Sequence, residues 1–137
     1  MTVLERVMTN PSFRCDGPTT EAELVSLEDE WGFQLPAELR TLYLRFGAGD
    51  GNAGYGENAH FMIIETPFGI TGWERDDFPD DMIPFGSNGG PDHLVYSKSL
   101  GYGLSPQIGH TVDDFIFVSA TLEGFMQAAE DGTWFEP

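Results

Sequence analysis

Ile83-Pro84-Phe85-Gly86-Ser87-Asn88-Gly89-Gly90-Pro91-Asp92-His93-Leu94-Val95-Tyr96 is the stretch whose reading decides the fold. Two apolar runs, Ile83 to Phe85 and Leu94 to Tyr96, flank a polar centre of glycine, asparagine, proline and aspartate, residues that supply turn geometries others resist. The pattern predicts strand, turn, strand, with a looped or bulged connection because the centre is longer than the favoured two-residue hairpin. A glycine-rich segment also suggests a phosphate cradle. That reading requires a following helix or a nearby lysine, whereas Gly86, Gly89 and Gly90 lead into a strand-like run with no lysine close by. Asn88 and Asp92 are placed to stabilise the turn by bonding nearby backbone.

Working outward, the residues before this stretch are Trp73-Glu74-Arg75-Asp76-Asp77-Phe78-Pro79-Asp80-Asp81, five carboxylates against one arginine, which predicts an exposed segment. Phe61 to Ile64 reads as a buried strand ended near Pro67, and Phe115 to Val118 as another strand. Lys98 to Gly109 reads as a loop, and so does the glycine-rich Gly47 to Asn58. Asp50, Asn52, Gly54 and Glu57 only faintly resemble a calcium loop, since the length and ligand series of an EF-hand are absent.

Helical periodicity marks the two ends of the chain. Val3, Leu4, Val7 and Met8 form one face of a short N-terminal helix ending before Pro11, and Cys15 to Thr19 follows as a loop. Thr20 and Glu23 match a capping box for a helix over Glu21 to Trp31, with Leu24, Leu27 and Trp31 on one face and Gly32 as its left-handed stop. Its acidic run, Glu28 to Glu30, lies near a helix C-terminus that disfavours anions. Pro36 suits the first position of a second helix carrying Leu39, Leu42, Tyr43 and Phe46, closed by Gly47, with Arg40 and Arg45 placed where cations suit the dipole. So short a link predicts a helical hairpin with a shared apolar face. Caps at Ser119 to Thr121 precede a closing helix with Leu122, Phe125, Met126 and Ala129, and Trp134 and Phe135 in the tail are expected to cover a core edge. Helices at both ends, strands between them and no βαβ alternation give an α+β fold: a single domain over residues 1–137, with a central, mainly antiparallel sheet, an N-terminal helical hairpin and a C-terminal helix.

The 137 residues carry 23 Asp and Glu against 6 Lys and Arg, a net charge of -17. Such a surface repels phosphate backbones and anionic lipid, and with Lys98 the one lysine and the arginines scattered, no basic patch offers a nucleic-acid or membrane site. It attracts basic proteins, and it equally serves solubility alone. The single cysteine, Cys15, excludes an intrachain disulfide, no run reaches the length of a membrane helix, and Met1 to Thr9 does not resemble a signal peptide, so a soluble protein of a reducing compartment, or one that needs no disulfide, is expected, with a cytoplasmic location. Catalysis has little to draw on. His60, His93 and His110 show no metal-ligand spacing, Asp92 and His93 as strand neighbours point to opposite faces, and Cys15 lies in no nucleophile motif. Neither a metal nor a cofactor is expected, and every apolar stripe can be absorbed by the chain's own core, so no oligomeric state is implied.

Three pieces, in order, resemble the SUKH superfamily, the Smi/Knr-type family: the acidic helix Glu21 to Trp31 leading through Leu35-Pro36 into Leu39 to Phe46; Ile83-x-Phe85-Gly86-x-Asn88-Gly89-Gly90-x-Asp92 with its following apolar strand; and the closing segment Thr121 to Met126. They span about residues 18 to 130. The chain departs from the family pattern at Pro91, where a third glycine is common, and the acidic run around Asp77 has no counterpart in it. The resemblance implies an α+β fold and, for most bacterial members, a non-catalytic immunity role, binding and blocking a cognate toxin that is frequently a nuclease. Some members are instead regulators or scaffolds, and genomic neighbourhood would separate the two. Combined with the acidic surface, the resemblance suggests a basic toxin held by Glu74, Asp76, Asp77, Asp80 and Asp81, with Trp73, Phe78 and Tyr55 as aromatic anchors. For each of these aromatics a place in the core is the commoner fate.

Overall fold

The computed structural model describes residues 1–106 and 112–136, so Gly109 and His110 lie outside the described residues. Two capping boxes start the first helices. Thr2 Oγ1 accepts the Glu5 amide and Thr20 Oγ1 the Glu23 amide, and each glutamate accepts its threonine's N–H in return, opening α1 (Val3–Met8) and α2 (Glu21–Trp31). Gly32 ends α2 at φ 68°. Pro36 is the cap of α3 (Ala37–Arg45) rather than its first helical residue. A short α4 (Pro67–Thr71) is capped by Thr66, and α5 (Leu122–Asp131) by Thr121.

The strands are β1 (Phe13–Cys15), β2 (Gly49–Asn52), β3 (Phe61–Ile64), β4 (Met82–Ser87), β5 (Asp92–Ser97), β6 (Gly101–Pro106) and β7 (Ile116–Ser119). They form one sheet of seven strands in chain order, every neighbouring pair antiparallel. The central hairpin is β4–β5, as its apolar flanks predict. Pro84 pairs with Val95 and Gly86 with Leu94, leaving Phe85 as a bulge. A bulge is where an inner strand tolerates a proline, which brings no ladder N–H.

Three predicted loops are partly strand. Cys15 ends β1, Gly49–Asn52 pairs with β1 on one side and β3 on the other, and Gly101–Pro106 pairs with β5 and β7. In β6 a Cβ on Gly103 would lie 2.1 Å from the Ile116 carbonyl oxygen, so glycine there permits close backbone approach and does not mark a turn. Phe61–Ile64 is only half buried, with Phe61 42% exposed. Leu24 and Leu27 of α2 and Leu39 and Leu42 of α3 share one core, and α2 also lies against α4. Arg40, in the first half of α3, reaches back to Glu28 at 2.8 Å and to Glu21. Glu28 also accepts the Leu35 amide at 2.8 Å, so part of the acidic end of α2 holds the turn into α3.

Consecutive residues of β4, β5 and β6 are buried, so the middle of the sheet is covered on both faces. Phe85 packs edge-on against Tyr102 and Phe125, and Phe125 stacks on Trp134 with centroids 5.1 Å apart. Trp134 is 1% exposed whereas Phe135 is half exposed. The first and last helices meet: the Leu4 amide donates to Glu123, and Arg6 pairs with Glu130 at 2.7 Å.

Candidate functional site

The acidic segment leaves α4 at Trp73, makes a 3-10 turn over Arg75–Asp77 and enters β4 at Met82. Its one cation is its internal tie. The Arg75 guanidinium donates to the carbonyls of Trp31 (3.0 Å), Phe78 (3.3 Å), Pro79 (3.2 Å) and Asp80 (2.9 Å), and its Cζ lies 5.4 Å from the Trp31 ring centroid. A planar guanidinium with five donors can hold several carbonyls of a folded loop at once. The far end is pinned at Asp81, whose carboxylate accepts Ser99 Oγ at 2.7 Å and Ser97 Oγ at 3.0 Å. Those bonds, that from Ser99 foremost, hold its carboxyl below the usual carboxylate range.

Between the two pins Glu74, Asp76, Asp77 and Asp80 are exposed, and Asp81 is half buried. The aromatics turn the other way. Phe78 is 6% exposed, packed 6.0 Å from Trp31 and 5.3 Å from His93, and belongs to the core. It offers no anchor on the surface. Trp73 is half buried, 4.8 Å from His93. Tyr55 is 78% exposed but lines a different groove, with Met1, Arg6, Pro11 and Glu130. The structure thus gathers the carboxylates on one tied loop and leaves the expected anchors buried or elsewhere.

The glycine-rich turn sits beside this loop. Asn88 Oδ1 accepts the Gly90 and Asp92 amides at 2.9 and 3.3 Å, the Asn88 amide donates to the Asp92 carbonyl, and Asn88 Nδ2 reaches the Asp92 carboxylate at 3.3 Å. Gly89 takes φ 77°. At Gly86 a Cβ would stand 1.9 Å from the Ile63 carbonyl oxygen, so the motif glycine lets β3 and β4 close up. The turn's polar groups are engaged with one another.

Asp92 and His93 do not form an acid–base pair: Asp92 faces Asn88, and His93 packs between Trp73 and Phe78. His60 stacks on Trp134 with centroids 4.5 Å apart and its Nε2 accepts the Trp134 amide; burial lowers its pKa, which suits a neutral acceptor. Cys15 Sγ donates to the Met8 carbonyl, and burial pushes its thiol pKa up, away from the reactive thiolate. Among the described residues no group of three or more His, Cys, Asp or Glu could hold a metal ion, and no helix is long and apolar enough to cross a membrane.

The chain's cations are mostly engaged within it. Arg6, Arg40 and Arg45 pair with carboxylates, Arg75 holds carbonyls, and Lys98 Nζ lies 4.5 Å from the Phe33 ring centroid. Few remain to offset the outward carboxylates.

Sequence reasoning missed one exposed aromatic next to this surface. Phe68 on α4, read only as the residue after a strand-ending proline, is 87% exposed. Its signal is phase: Pro67 and Ile70 are buried one helical turn apart, which turns Phe68 outward.

Comparison with known proteins gives one finding. The sequence model of the SMI1 / KNR4 family (SUKH-1) matches residues 18–128, a span that contains α2, α3, the acidic loop, the central hairpin and most of α5. No curated protein matches the chain.

Proposed function

We propose, from the premise that the chain belongs to the SMI1 / KNR4 family (SUKH-1), that it is a cytoplasmic immunity protein that neutralises a basic protein toxin by binding it. The reading rests on one observation above all: Glu74, Asp76, Asp77 and Asp80 stand exposed on a loop whose backbone Arg75 ties to the end of α2. Carboxylates fixed before binding lose little freedom on association and resemble the row of phosphates a nuclease cleft accepts. The role is stoichiometric occlusion and uses no chemistry of the chain's own.

Two measurements test it. Co-expression with a toxin encoded beside this chain's gene should restore growth; failure of rescue by the intact protein would overturn the immunity role. Association rates with that toxin should fall about tenfold or more between about 0.02 M and about 0.5 M salt, and the double substitution Asp76→Asn, Asp77→Asn should flatten that dependence. A wild-type rate indifferent to salt would remove the acidic loop from the encounter.

A further inference from the structure

Beside the acidic loop, α2 and α4 enclose a groove of about 290 Å³, with Glu23, Leu27 and Glu30 on one wall and Pro67, Phe68 and Thr71 on the other. Leu27, 1% exposed, and Pro67, buried, close its base, and Phe68 stands 87% exposed at the lip. Glu23 and Glu30 lie two turns apart on α2, about 10 Å by helical rise, and both are exposed. The volume falls just below the range of small-molecule pockets, about 300–1,000 Å³, and suits a side chain or two.

We propose that this groove receives an arginine side chain of the protein partner, its aliphatic stem between α2 and α4 and its guanidinium against the Phe68 ring and the Glu30 carboxylate. A purely apolar guest would desolvate Glu23 or Glu30 without a counter-charge. A guanidinium meets both demands, stacking on an aromatic face while donating to a carboxylate. A second copy of this chain is a poor occupant: it carries a net charge of -17, and four of its five arginines, at 6, 40, 45 and 75, are already engaged. The acidic loop is tied to the same end of α2, because Arg75 bonds the carbonyl of Trp31, the residue after Glu30.

This inference rests on the partner reading above and divides the labour within it. The loop draws a basic protein in, and the groove sets how long it stays, since rim charges act on association and packed anchors on dissociation.

The probe is a capped glycine–serine hexapeptide carrying one arginine, titrated into the full ¹⁵N-labelled chain, with its citrulline analogue as the neutral control. Amide shifts should cluster at residues 23–30 and 67–71, vanish with citrulline, and be lost in Phe68→Ser but kept in Phe117→Ser, which alters an exposed phenylalanine on β7. Shifts spread over carboxylates across the whole surface, or unchanged in Phe68→Ser, overturn the proposal. With the toxin itself, Phe68→Ser should speed dissociation about tenfold and leave association unchanged. If dissociation does not change while Asp76→Asn, Asp77→Asn slows association, the groove fails and the acidic-loop reading stands. If the peptide seats in the groove but no toxin binds the wild-type chain, the partner reading fails and the groove stands.

Discussion

The acidic loop and the α2–α4 groove treat similar sequence in opposite ways. Each contains a phenylalanine beside a proline, Phe78-Pro79 in the loop and Pro67-Phe68 on α4, yet Phe78 is 6% exposed and Phe68 87%. In the loop, the Phe78 amide closes the 3-10 turn onto Arg75, and the Arg75 guanidinium takes the Phe78 and Pro79 carbonyls, so the ring is directed between Trp31 and His93. On α4, Pro67 and Ile70 occupy the inward face and helical phase leaves Phe68 outside. Neighbouring residue types are therefore a poor guide to which aromatic a partner can touch; the backbone ties decide.

The strongest way to break this contrast is to truncate both rings. Phe78→Ala should lower stability by about 3–5 kcal/mol, the cost of emptying an aromatic site in a core, whereas Phe68→Ala should stay within about 0.5 kcal/mol of wild type. Urea denaturation of the two variants reads both, and equal losses would refute the assignment of inward and outward rings. Arg75→Ala comes next. Removing charged hydrogen bonds to several carbonyls should cost about 2 kcal/mol, and limited proteolysis should then cut between residues 74 and 81, with α2 untouched. Arg75→Lys should recover only part of this, because an ammonium cannot reproduce the planar fork.

The smallest effect sharpens the picture of the second pin. Asp81 has a depressed folded-state pKa, so its contribution to stability is present above the unfolded carboxyl value and lost as pH falls through the folded one. Ser99→Ala should raise the Asp81 pKa toward the ordinary value and move the onset of acid loosening to higher pH. An NMR titration of the Asp81 carboxyl checks this, and an unchanged midpoint would show that Ser99 does not hold it.

The parts of this fold legible in sequence are those where side chains carry the information. The Thr20–Glu23 box and Gly32 bound α2, periodicity finds α3 and α5, and apolar flanks reveal β4 and β5. The parts missed are held by backbone. β1 is three residues long, while β2 and β6 read Gly-Asp-Gly-Asn and Gly-Tyr-Gly-Leu-Ser-Pro, with few branched side chains to show alternation. The carboxylates of the candidate surface were plain from composition. Its exposed aromatic was not, because the helical phase of Phe68 depends on a five-residue helix too short for periodicity to register.

The sheet's strand order has a consequence for how the chain folds. Because the order from β1 to β7 is the order of the sequence, each strand from β2 onward meets a partner that precedes it in the chain. The α1–α5 contact is different, since Arg6 and Glu130 are 124 residues apart. Closing so long a segment is entropically slow until both helices have packed against the sheet, whose first and last strands lie at opposite edges. The two end helices then act as a clasp fastened last. Contacts made late weigh on the rate of unfolding more than on the rate of folding, so Arg6→Ala should unfold faster at an unchanged folding rate in stopped-flow denaturation.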